Sequence, residues 1–124
     1  MDTITKLTTG GNSAFGCWLI VAPFVFNTPA VGRWNDVLVG TTIALVAGYN
    51  YTRAIRRRPV NMLGAGFVTV LGCWLIVAPF VFGLESSPIW NDIISGTIVA
   101  SFGSYNTYVA TIADRSPPFR MTAE

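Results

Sequence analysis

The chain has 124 residues, of which 52% are hydrophobic and only 11% charged, with a net charge of +2. That length allows one compact domain or a small membrane bundle. The charged fraction is below half of the roughly 25% found in ordinary soluble domains, which excludes a well-wetted soluble surface. Four of the eight basic residues fall between Arg53 and Arg58 rather than over a folded face, so nucleic acid is excluded as a partner. The absence of histidine removes the commonest metal ligand, the usual general base at neutral pH and the usual axial ligand of haem or a pigment.

The first residues, 1–12, form a polar segment rich in Thr and Gly with one base, Lys6. Ala14 to Phe26 follows as an apolar run of 13 residues, short of the about 20 needed to cross a bilayer. The helix is therefore expected to start earlier, near Leu7 to Gly11, or to be short and tilted. The pair resembles a signal peptide, but the same motif recurs internally as a span, which argues against cleavage. Gly16-Cys-Trp-Leu-Ile-Val-Ala-Pro-Phe-Val-Phe26 returns letter for letter as Gly72 to Phe82, and the offset of 56 positions holds through Trp34-Asn35-Asp36 and Trp90-Asn91-Asp92. The chain is thus a tandem duplication, with repeat 1 over 13–56 and repeat 2 over 57–113.

Pro23 and Pro79 lie near the end of the first helix of each repeat, where each leaves a carbonyl unbonded four residues back and bends the helix. A kink closing the end of a helix pair is the expected role; a hinge lining a site is the alternative. Linkers 27–33 and 83–89 carry turn chemistry and lead into Trp-Asn-Asp. Trp34 and Trp90 suit the headgroup zone. Asn35, Asp36, Asn91 and Asp92 stand where a second helix is expected to begin, and there they would cap its first turn. A catalytic carboxylate pair is the competing reading, but no nucleophile or base accompanies them.

The second helices are predicted from about Asp36 to Ile55 and from about Asp92 to Ala113. Gly40, Ala44 and Gly48, and Gly96, Ala100 and Ser104, recur every four positions, a spacing that lets another backbone approach. The partner of this stripe is either its twin across the repeats or the proline-bearing helix of its own repeat. Hydroxyls and amides beside it, among them Thr41, Thr42, Asn50, Thr97, Ser101 and Asn106, are expected to face protein or a cavity. Asn50 and Asn106 could mark a polar path. Val60 to Phe82 is an uncharged run of 23 residues, long enough to span. Cys17 and Cys73 are equivalent positions and fit either small apolar fillers or a pair brought together across the repeats.

The basic run before Pro59 predicts a cytoplasmic turn, with both termini and the tail 114–124 on the same side. The pattern resembles the SPW repeat family of small prokaryotic integral membrane proteins over roughly residues 12–112: an apolar helix holding a proline, then Trp-Asn-Asp, then Gly40 or Gly96. Where the family has Ser-Pro-Trp this chain has Ala22-Pro23-Phe24 and Ala78-Pro79-Phe80. Neither a serine hydroxyl nor an indole stands at those places. The resemblance implies a four-helix membrane architecture and no particular activity. The expected fold is an all-α, four-helix transmembrane bundle of two tandem parallel two-helix repeats in the cell (inner) membrane. The expected function is non-catalytic: a structural or accessory subunit packing against membrane lipid, other membrane subunits or copies of itself. A small transporter or channel is the alternative. No cofactor is specified, though lipid or hydrophobic cofactor tails suit the exposed aromatics.

Overall fold

Each of the four apolar stretches becomes a helix in the computed structural model, which describes residues 2–83 and 87–114. These are α1 (Asp2–Val25), α2 (Ala30–Ile55), α3 (Met62–Val81) and α4 (Ser87–Asp114). Residues 84–86, within the second linker, and the tail 115–124 lie outside the described residues. α1 takes in the polar segment, starting at Asp2 rather than near Leu7 to Gly11. A threonine helps make this possible: Thr9 returns its hydroxyl to the carbonyl of Thr5 one turn back.

Two expected boundaries move. α2 begins at Ala30 and α4 at Ser87, so Asn35, Asp36, Asn91 and Asp92 lie more than a turn inside their helices and cap nothing. Pro29 precedes α2 with no side-chain cap. Its fixed φ suits a helix entrance without one. α3 is the conventionally capped helix, with the Asn61 side chain accepting from Gly64 N–H at 2.8 Å.

Neighbouring helices run antiparallel around a ring. α1 packs on α2 and α3 on α4 within each repeat, while α1·α4 and α2·α3 join the repeats. No close backbone contact is made across either diagonal among the described residues. The order is up-down-up-down, so α1 and α3 run the same way and a pseudo-twofold axis lies along the bundle. The core respects that axis. Leu19 and Leu75, and Ile43 and Val99, are equivalent pairs and all four are fully buried.

The small-residue stripe meets the proline-bearing helix of its own repeat. A methyl on Gly16 would lie 2.5 Å from Ala44 N and one on Gly72 2.6 Å from Ala100 N. Gly40 and Gly96 are as tight, against the carbonyls of Gly16 and Gly72. Only glycine allows such backbone contact. Gly48 continues the seam beside Ser13, but Ser104 does not: it is exposed, and Gly103 takes its place against Thr69. The helix turns 3.6 residues per cycle, so a strict four-residue step drifts off the contact line.

The outer hydroxyls also depart from expectation. Thr41, Thr97 and Ser101 face outward and donate to carbonyls four residues back on their own helix. That satisfies them without an interhelical partner.

Among the described residues, α3 is the one helix both long and apolar enough to cross a membrane by composition alone, with mean hydropathy 2.0 over 20 residues. At 1.5 Å per residue it spans about 30 Å, the thickness of a hydrocarbon core. α1, α2 and α4 are longer and carry the polar residues that face inward.

Candidate functional site

The polar residues inside the bundle fall into two layers. The first is built from Trp-Asn-Asp. Buried carboxyls on α2 and α4, Asp36 and Asp92, face each other across the pseudo-axis. Both are essentially inaccessible, at 1% and 0% exposure. Each also accepts from the amide of the residue before it, Asn35 or Asn91, at a long 3.4 Å. Those two asparagines in turn accept from indoles of the other repeat. Trp18 Nε1 donates to Asn91 Oδ1 and Trp74 Nε1 to Asn35 Oδ1, both at 2.8 Å.

A single chain of contacts therefore crosses all four helices, from Trp18 on α1 through α4 and α2 to Trp74 on α3. An ionised carboxylate has only acceptors, so two facing carboxyls can bond each other only when one carries a proton. Asp92 Oδ2 is buried without a hydrogen-bond partner among the described residues. This arrangement is the carboxylate pair weighed in the sequence, but it has no nucleophile or cationic group beside it. Among the described residues no group of three or more potential metal ligands forms.

Around this layer the two repeats match closely. Phe26 and Phe82 pack edge-on against Trp18 and Trp74, with ring centroids 6.1 and 6.0 Å apart. Pro23 and Pro79 are fully buried in the last turn of α1 and α3, beside which Asn27 and Gly83 take positive φ and reverse the chain. Trp34 and Trp90, in contrast, are 60% and 64% exposed and point away from the bundle.

The second layer lies toward the other end. Asn50 grips the start of α3 through Asn61, accepting from its N–H at 2.8 Å. Asn106 accepts from the Thr8 hydroxyl at 2.7 Å. Each asparagine ties the second helix of its repeat to the first helix of the other. Asn12 adds a bond to the Val99 carbonyl at 3.2 Å, leaving its own Oδ1 buried without a partner among the described residues. Val68 holds the equivalent place in repeat 2, so this polar contact exists on one side only. Cys17 and Cys73 are exposed and unpaired on the outer surface.

Sequence reasoning missed Trp18, Trp74, Thr8 and Asn12. An indole inside an apolar run reads as hydrophobic bulk, and only the pairing of α1 with α4 shows its N–H in use. The duplicated Trp-Asn-Asp was the available signal that the first layer would be twofold.

Comparison with curated proteins and comparison with solved structures each find no match. A model of the SPW repeat domain, however, matches residues 6–106, most of the chain and both Trp-Asn-Asp motifs. With the duplicated proline helices and the paired bundle, that match makes this chain a member of the SPW repeat family of membrane proteins.

Proposed function

We propose that this protein is a non-catalytic integral membrane subunit that acts by lateral packing, against a larger membrane complex or further copies of itself. The observation that carries this reading is how the polar groups are distributed. Inside, the tryptophan and asparagine side chains join the four helices to one another. Outside, the surface is apolar: Leu45 and Leu63 are 69% and 81% exposed, and Phe24 and Phe80 are exposed on equivalent faces. Such a belt suits lipid and neighbouring helices and offers no polar substrate a foothold. The alternative, transport along Asn50 and Asn106, is disfavoured because both amides are bonded to the opposite repeat. In the same reading the arginine turn and both termini face the cytoplasm, as the charge asymmetry directs.

The native thiols supply the test. Cys17 and Cys73 are the only cysteines and both face outward. Copper-phenanthroline oxidation in native membranes should trap a disulfide-linked dimer or a larger adduct. Replacing both by Ser should abolish it. A chain that stays monomeric in membranes and detergent, and conducts solute when reconstituted in liposomes, would overturn the proposal in favour of transport.

A further inference from the structure

The arginine turn holds a feature that packing alone does not require. α2 ends with Arg58 N–H bonded to Arg53 O at 2.8 Å and Arg57 N–H bonded to Ala54 O at 3.1 Å. This is the paired closure of a helix C-terminus that places one residue in the left-handed region, usually glycine. Here that residue is Arg57, at φ 58°. At the opposite end of the bundle, Gly83 occupies such a position at φ 66°. A left-handed residue with a side chain is disfavoured, and its retention directs attention to what the side chain does.

Arg57 and Arg58 line a cavity of about 200 Å³ at this end of the bundle. Thr5 of α1 and the apolar Val60, Val109 and Ala113 complete its wall. Buried Val60, Ala65 and Ala110 pack together beneath. Arg53 shapes the rim. Its Nε donates to Pro59 O at 2.6 Å and its guanidinium to the Tyr49 hydroxyl at 3.2 Å, so it braces the turn. Among the described residues no carboxylate pairs with Arg56, Arg57 or Arg58, and the described acidic side chains, Asp36 and Asp92, lie in the other layer. Asp2 begins α1 and Asp114 ends α4, at the end of the bundle that also carries Lys6, Arg53, Arg56, Arg57 and Arg58.

We propose that this cavity binds a phosphate group, supplied by the headgroup of an anionic phospholipid. Two guanidiniums offer the forked donors that phosphate oxygens accept. The apolar half of the wall suits the glycerol and first methylenes of a lipid, for which a soluble phosphate has no use. Arginines at a membrane surface gain from an anionic leaflet, about fivefold in affinity for each one. The inference rests on the membrane reading above, and the experiment separates the two. Failure to remain dispersed without detergent tests membrane character. Lipid discrimination tests the site.

Detergent-purified protein would be titrated with phosphatidylglycerol, phosphatidylcholine and inorganic phosphate, reading bound lipid by native mass spectrometry and stability by thermal melting. Phosphatidylglycerol should bind and raise the melting temperature, and phosphatidylcholine should do neither. Arg57→Gly is the decisive variant. It relieves the left-handed strain, so it should melt higher than the parent without lipid while binding phosphatidylglycerol about fivefold more weakly. The pair Arg57→Gln and Arg58→Gln should lose more. Arg33→Gln, at the other end of the bundle, should leave binding unchanged. Equal binding of the two lipids, or full affinity in Arg57→Gly, would overturn the site. Inorganic phosphate that binds as tightly and displaces the lipid would overturn the lipid source.

Discussion

Gly16 and Gly72, with Gly40 and Gly96 opposite them, are among the residues with least freedom to change. Their missing side chains let α1 and α3 touch the backbones of α2 and α4, and a single methyl would fall 2.5–2.6 Å from a backbone nitrogen. Backbone cannot swing aside as a side chain tip can, so the helices must separate. Gly16→Ala or Gly72→Ala should destabilise by about 1–3 kcal/mol, the range for overpacked cores. Gly66→Ala has nothing within 4 Å of the new methyl and should stabilise by about 0.5–1 kcal/mol, the gain of alanine over glycine inside a helix. Reversible unfolding in one detergent compares them, and equal loss at all three positions would refute the backbone seam. Asp36 gives a second test at this scale. Asparagine keeps the shape and supplies an N–H to Asp92, whereas alanine leaves a buried carboxyl unpaired. Asp36→Ala should cost about 1–3 kcal/mol. Asp36→Asn should cost clearly less, and the reverse order would show that the carboxyls do not bond each other.

At the scale of elements, the helices and their duplication were legible in the sequence, but two of their entrances were not. The second helix was expected at Asp36 because Asn and Asp before an apolar run resemble an N-cap. They resemble equally a buried polar pair, and the two differ only in what stands across the bundle. Trp74 and Asp92 stand there, more than fifty residues away for Asp92, so no local pattern could decide it. The small-residue stripe was legible as a face, while its last member in repeat 2 was not. Ser104 preserves the four-residue step and still falls outside, because Gly103 lies nearer the contact line. That difference is measurable. Ala44→Leu and Ala100→Leu place bulk at the seam with Gly16 and Gly72 and should broaden or shift the size-exclusion profile and lower the melting temperature. Ser104→Leu should be tolerated on the exposed face. Loss of folding in Ser104→Leu alone would return the seam to the strict stripe.

For the whole molecule, the two repeats behave as copies because the contacts of the tryptophan layer and the apolar core occur twice or lie on the axis, while the Asn12 bond to Val99 stands on one side only. Trp18 to Asn91 repeats as Trp74 to Asn35, Leu19 with Ile43 repeats as Leu75 with Val99, and the carboxyls meet in the middle. Repeat 1 therefore carries both halves of the inter-repeat surface. A chain of residues 1–58 alone has Trp18 to offer and Asn35 to receive, and Asp36 could meet Asp36 of a second copy. Asn50 would find Thr8 of that copy, as Asn106 finds Thr8 in the full chain. The expected outcome is a homodimer in detergent with a true twofold in place of the pseudo-twofold. It should be less stable than the parent, because the loop through Asn61 no longer links the halves and association must meet its entropy cost. Multi-angle light scattering across a dilution series gives the mass. Trp18→Phe removes two indole bonds from this dimer but one from the full chain, each worth about 0.6 kcal/mol in membrane helices. The variant should therefore weaken the half-chain dimer roughly twice as much as it destabilises the parent. A strictly monomeric half-chain, or a dimer indifferent to Trp18→Phe, would show that the repeats do not recognise each other through the tryptophan layer.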